Sequence, residues 1–219
     1  IFKNLKDIVA IIEDITVRIN LDSDNINEFD KLLEILEQAD LIDKVLLFPC
    51  RINNEVKACQ SSSESAISVP EFSKEQVKLC RKMIEKNAKV DYYPWPHAYT
   101  CCAISKNSIL IAPNGDIYKC WNTIGDKREC LGNISNISAF DKTNNKWAKY
   151  EPITDEICVQ CNILPICMSN CAYLKLGVDS QTKPEERCSE WKYKVEDLIR
   201  LKYLEYKLKK MPGREKNKL

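Results

Sequence analysis

Four cysteines fall within residues 158–171, CVQCNILPICMSNC, at the spacing C-x2-C-x5-C-x3-C. The region around it shows little helical period and reads as cysteine-rich loops. Thiolates three residues apart around a turn can approach one metal centre together, which is why C-x2-C recurs in zinc and iron–sulfur sites. The chain carries 12 cysteines and 1 histidine, His97. That imbalance removes most histidine-dependent chemistry: Ser-His-Asp triads, His-rich zinc sites and HExxH proteases are all excluded as leading readings. Disulfides are the alternative use of an even cysteine count, but disulfide-dense chains are small and secreted. This one has 219 residues and long amphipathic helices of cytosolic character. Metal ligation is the default reading.

Cys188 follows the run, and Cys101, Cys102 and Cys120 precede it. Eight thiols suit two four-thiolate centres. Zinc sites more often repeat the C-x2-C knuckle, whereas the second half of this run is C-x5-C-x3-C. A last cysteine three residues beyond the third resembles bacterial two-cluster ferredoxins, in which the final cysteine of a run ligates the other cluster. The spacing therefore favours two iron–sulfur clusters with interleaved ligands.

Around this core the chain reads as α/β. Phe2, Leu5, Ile8, Val9 and Ile12 share one helical face, and Ile15, Val17, Ile19 and Leu21 then alternate as a strand. Asn25 and Glu28 resemble a capping box for a helix with Phe29, Leu32, Leu33 and Leu36 inside, and KVLLFPC follows as a buried strand. Strand, helix and strand make a right-handed parallel βαβ unit. Ser73 and Gln76 are expected to open a further helix through Val90, with Val77, Cys80 and Ile84 inward. Beyond residue 92 the character turns aromatic, proline-rich and then cysteine-rich. There NSILIAPNGDIYKCW reads as a hairpin turning at Asn114-Gly115 in a type I′ turn, with Cys120 opposite Ile109 and the segment after Cys102 folding back to bring that cysteine near. A long helix carrying Trp191, Val195, Leu198, Leu201 and Leu208 closes the chain at Pro212-Gly213. The expected domains are 1–91, 92–190 and, as C-terminal helix and tail, 191–219.

The order C-x12-G-x4-C formed by Cys102, Gly115 and Cys120, then C-x2-C-x5-C-x3-C, a gap and Cys188, resembles the SPASM domain found at the C-terminus of many radical S-adenosylmethionine (SAM) enzymes. The resemblance covers residues 100–190. Residues 1–91 resemble the C-terminal half of the partial (β/α)6 barrel those enzymes share. The resemblance implies two auxiliary 4Fe-4S clusters. Cys102, Cys120 and Cys171 would hold one, with Cys101, another group or an open site in fourth place; Cys158, Cys161, Cys167 and Cys188 would hold the other. It further implies modification of a peptide or protein substrate, such as thioether bridging or oxidation of a sulfatase active-site residue, with a flavodoxin or ferredoxin as reductant. The motif C-x3-C-x2-C that binds the SAM-cleaving cluster is not in this sequence: Leu174 stands where its third cysteine would be after Cys167 and Cys171. Since the sequence opens inside a helical pattern, SAM and a third 4Fe-4S cluster are expected from a preceding half. Arg18 is a candidate contact to SAM or substrate. From other classes, a zinc-binding interaction module and a ferredoxin-like electron carrier are the alternatives.

Charged residues make up 30% of the chain but cancel to a formal +1, so no global field draws it to nucleic acid or an anionic membrane. No spanning run and no signal-peptide pattern appear, and a cytoplasmic location is expected. Cys80 reads as a core thiol, Cys50 as a structural thiol at a strand end, and Cys59 and Cys130 have no assigned role. His97 and Trp95 read as packing at the domain junction.

Overall fold

Alternation in the first third of the chain produces a parallel sheet. The structure, a computed structural model, describes residues 1–52, 64–93, 96, 101–139, 145–177 and 182–210. After helix α1 (Phe2–Ile8) come strand β1 (Thr16–Leu21), helix α2 (Phe29–Gln38), strand β2 (Leu46–Arg51), helix α3 (Val69–Glu85) and strand β3 (Lys89–Val90). The strands lie parallel in the order β1-β2-β3, with Thr16 across from Leu46 and Leu47 across from Val90. Ile19, Leu21 and Leu47 are buried, as are Phe29, Leu33 and Leu36 of α2 and Phe72, Leu79, Cys80 and Met83 of α3. Each such side chain contributes about 1.5–3 kcal/mol on leaving water. The ion pairs Lys82–Asp30 and Lys86–Glu37, at 2.7 and 2.6 Å, join α3 to α2 on the surface and add at most about 1 kcal/mol each. Burial holds this layer together. The opposite face of the sheet carries exposed Arg18, Asn20 and Phe48.

Several local expectations change. α1 buries none of its residues, and Ile8, Ile11 and Ile12 are exposed. Asn25 caps no helix: its side chain accepts the Asp22 N–H while its own N–H donates to Asp22 Oδ1, and a 3-10 turn at Ile26–Glu28 leads into α2. α3 opens five residues earlier than Ser73, at Ser68, whose hydroxyl and the Glu71 carboxylate form a reciprocal capping box with Pro70 in the first turn. Ser73 and Gln76 instead face inward. The same helix ends at Glu85, because Asn87 takes a left-handed conformation (φ 59°) and the N–H groups of Asn87 and Ala88 close a Schellman motif on Ile84 and Met83. That stop frees Lys89 and Val90 to form β3, a strand hidden from sequence periodicity by its length.

The described residues divide into two compact units, one taking in Ile1–Ile52, Glu64–Pro94 and the chain from Tyr193, the other Trp95–Lys192. In the second, β4 (Leu110–Ile111), β5 (Asp116–Tyr118) and β6 (Gly132–Asn133) form an antiparallel sheet. The short helices α4 (Lys146–Lys149), α5 (Leu164–Cys167) and α6 (Ala172–Lys175) follow. The hairpin turn is not type I′. Gly115 N–H donates to Ala112 O over Pro113 and Asn114, and only Gly115 of that pair has positive φ (+83°). Pro113 pre-sets the first corner of a type I turn, and Gly115 supplies the left-handed residue of the following bulge. One residue more in the loop moves the register: Leu110 faces Tyr118, so its continuation sets Cys120 across from Ser108 rather than Ile109. α7 (Trp191–Lys210) is kinked at Lys194, with Leu198 and Leu201 buried and Trp191 half-buried. Trp95, His97, Cys59 and the Pro212-Gly213 stop lie outside the described residues.

Candidate cluster-binding sites

The second unit gathers the thiols into two groups. No disulfide joins the described cysteines. Cys158, Cys161, Cys167 and Cys188 together line one recess, with Ile157, Ile163 and Leu164 as its apolar wall and Ser169, Ser189, Lys175, Arg187 and Lys192 as its polar one. Local hydrogen bonding builds it. Asp155 Oδ1 accepts the N–H groups of Ile157 and Cys158 at 3.1 and 2.9 Å, and Cys161 N–H closes a turn on Cys158 O. Leu164 N–H then closes on Cys161 O and leads into α5, which ends on Cys167. Burial pushes the Cys167 thiol up, while backbone N–H groups of Ser189 and Asn170 directed at its sulfur oppose that.

Cys158 has the densest surroundings. Its sulfur lies 3.2 Å from Ser169 Oγ, which is 2.5 Å from Tyr150 Oη, and 3.2 Å from Lys175 Nζ. The Lys175 side chain is 8% exposed and stands 3.8 Å from Asp155 Oδ2. Burial works against its ammonium, but Cys158, Asp155 and Cys188 outweigh it and hold the pKa above that of an ordinary lysine. Lys192 Nζ reaches Cys188 Sγ at 3.4 Å from an exposed position. Sequence reasoning missed both lysines, because a single lysine at a helix end carries no signature.

The other group comprises Cys101, Cys120 and Cys171, with exposed Cys102 beside them. Cys101, Cys120 and Cys171 pack in one apolar cluster with Ala103, Trp147, Ala172, Tyr173 and Leu174. Burial pushes the Cys120 thiol up to about 11, and the neighbouring Cys171, Cys101 and Cys102 add to it. Burial likewise raises Cys101, whose sulfur accepts the Ala103 N–H at 3.4 Å. The adjacent pair can share a neighbourhood because Cys101 is extended (φ −147°, ψ 137°) while Cys102 starts a 3-10 turn through Ile104. After Cys102 the chain makes two tight turns, Ser105 N–H closing on Cys102 O and Ser108 N–H on Ser105 O. Buried Lys119 ties that loop down by donating to the carbonyls of Ser105 and Ser108.

Between Cys167 and Cys171 the backbone is left-handed at Met168, Ser169 and Asn170 (φ 44°, 71° and 59°). Each such residue costs about 1–2 kcal/mol outside glycine. The run lies between a cysteine of the recess and a cysteine of the apolar group.

Among the described residues no three histidine, cysteine, aspartate or glutamate side chains converge on one point as a single ion would need. A four-iron cube gives each thiolate its own iron, so its ligands surround a volume. Four thiols around one recess, with backbone N–H groups aimed at Cys167, fit such a group; the apolar set fits it in donor chemistry. Arg18 is exposed and donates from Nε to Asn20 Oδ1 at 2.9 Å. Cys50, the last residue but one of β2, is half-buried, burial pushes the Cys80 thiol up to about 12, and Cys130 donates to Gly132 O. Among the described residues no helix is long and apolar enough to cross a membrane.

No family model matches the chain, and no curated protein does. Among solved structures it is similar to histidine-tagged anSMEcpe with bound AdoMet, at 12% identity and TM-score 0.49, over 90% of this chain and 56% of that one. It is similar to native anSMEcpe with bound AdoMet and Cp18Cys peptide at 12% identity and TM-score 0.48, over 88% and 58%. The chain thus spans less than two thirds of these proteins' length.

Proposed function

We propose that this chain is the auxiliary-cluster part of a radical SAM enzyme that modifies a peptide or protein, with the parallel β1–β3 layer belonging to its barrel. The observation that supports this reading is the set of four thiols lining one recess, beside a second set in which Cys101, Cys120 and Cys171 pack together with exposed Cys102 next to them, Cys167 and Cys171 being parted by left-handed residues. Cys158, Cys161, Cys167 and Cys188 would hold one 4Fe-4S cluster, and Cys101, Cys102, Cys120 and Cys171 the other. Such clusters supply one-electron transfer and, where an iron lacks a protein ligand, a place for a substrate group.

The chain's own residues set the conditions for that chemistry. Asp155 fixes the turn that presents Cys158, Lys175 brings positive charge to the same sulfur, and Trp147 and Tyr173 exclude water from Cys120. These 219 residues contain no C-x3-C-x2-C motif; radical formation, the peptide or protein substrate and a flavodoxin or ferredoxin reductant would belong to the longer enzyme we propose. Arg18, on the open face of β1, would face SAM or substrate there.

Anaerobic reconstitution tests the reading. The chain should turn brown and bind about eight irons, two clusters' worth. About two zinc ions in a colourless protein would instead support the interaction module.

A further inference from the structure

We infer that Lys175 raises the reduction potential of the cluster held in the Cys158 recess by placing a water-excluded cation against one ligand sulfur. The inference rests on the reading that this recess holds a 4Fe-4S cluster. α6 begins directly after Cys171, and its last residue aims an ammonium back at Cys158 Sγ across 3.2 Å. That side chain is 8% exposed, so solvent screens it little. The counter-charge nearest to it, Asp155, stands at 3.8 Å and directs Oδ1 to two backbone N–H groups. Much of the lysine's positive charge is therefore left to act on the sulfur.

Reduction adds one negative charge to a cluster. A cation at a ligand sulfur favours that reduced form, as does a hydrogen bond to the sulfur. Lys192 makes the corresponding contact to Cys188 at 3.4 Å, but from an exposed position where water and salt weaken it. In the apolar group Lys119 directs its ammonium to two backbone carbonyls, Ser105 O and Ser108 O. Lys175 is thus a positioning residue that acts through Cys158; it touches no reacting atom.

The experiment is a redox titration, followed by electron paramagnetic resonance, of the reconstituted full chain, its Lys175→Met and Lys175→Arg variants, and Lys192→Met. The expected result is unchanged iron in Lys175→Met with one cluster at least tenfold harder to reduce, 59 mV for a one-electron couple. The other cluster should be unmoved, Lys175→Arg should lie within about threefold of the parent, and Lys192→Met should shift less than Lys175→Met. Normal iron with unmoved potentials in Lys175→Met overturns the inference and leaves the cluster reading intact. Zinc and no iron in the parent overturns both. Should Lys175→Met lose one cluster outright, the unaltered site decides: reduced Lys192→Met protein carrying 15Nζ-lysine should show a nitrogen hyperfine coupling to one cluster, and its absence overturns the inference.

Discussion

On the reading proposed above, the recess around Cys158 and the thiols around Cys120 would each offer four sulfurs, and they differ in what stands behind them. Behind Cys158 are a buried ammonium, a serine hydroxyl and a tyrosine; behind Cys120 are Trp147, Tyr173, Ala172 and Leu174. Ligand identity alone would make two equal centres. Their surroundings separate them, because charge and hydrogen bonds at sulfur favour the reduced state, whereas an apolar shell penalises added charge.

The largest expected effect that could break this comparison is loss of a whole centre. Cys161→Ala should remove about half of the iron and leave the apolar-side cluster spectroscopically unchanged. Loss of all iron would show that the two sites are one assembly. A smaller effect is expected from Cys101→Ala. With Cys101 beside Cys102, Cys171 and Cys120, this variant should release at least one iron from the apolar-side centre on gel filtration, while the recess keeps its full complement. Unchanged iron and unchanged reactivity toward added thiol would mean that the fourth position is filled by something else.

Trp147→Ala sharpens the contrast through packing. Trp147 is 1% exposed, and truncating a tryptophan so placed costs about 3–5 kcal/mol. Urea denaturation should report that loss, with the recess absorbing and titrating as before in the folded protein. The smallest expected effect concerns the hairpin beneath Cys120. Hydrogen bonds from Lys127, Asn133 and Asn114 hold the Asp116 carboxyl down at about 2. Its folded pKa lies below the unfolded value of about 3.9, so its stabilisation is complete above that value and disappears as pH falls toward 2. Asp116→Asn should therefore lower the denaturation midpoint at pH 6 and make no difference near pH 2. An equal difference at both pH values would remove the charge from the explanation.

What the sequence revealed differs between these features for physical reasons. The common recess of Cys158, Cys161 and Cys167 was legible because their spacing is local, a turn of C-x2-C geometry bringing its sulfurs together whatever lies around it, whereas the places of Cys188 and of Cys101, Cys102 and Cys120 came from the family resemblance alone. The strands β1 and β2 and the inner face of α2 were legible because their periods run for several residues. Lys175, Lys119 and Trp147 were not, since each acquires its role from residues distant in sequence. The register of the hairpin was missed for a subtler reason. Asn114-Gly115 is a strong turn signal, but Pro113 before it selects a different corner, and one proline moved the facing partner of Cys120 by a residue. Ser73 with Gln76 was the expected start of α3, but Ser73 is buried and the helix starts instead at the Ser68–Glu71 capping box, with Pro70 in its first turn.

On the two-cluster reading, the left-handed residues Met168, Ser169 and Asn170 carry a consequence for how the two centres would fill. They are the whole linker between Cys167 and Cys171, and neither end can shift without pulling the other. Ordering that linker around one centre brings the last sulfur of its neighbour into place, so the second site fills from a narrower ensemble than the first. Metal uptake should then be cooperative: at limiting iron, chains with both centres should coexist with empty ones, and half-filled chains should be scarce.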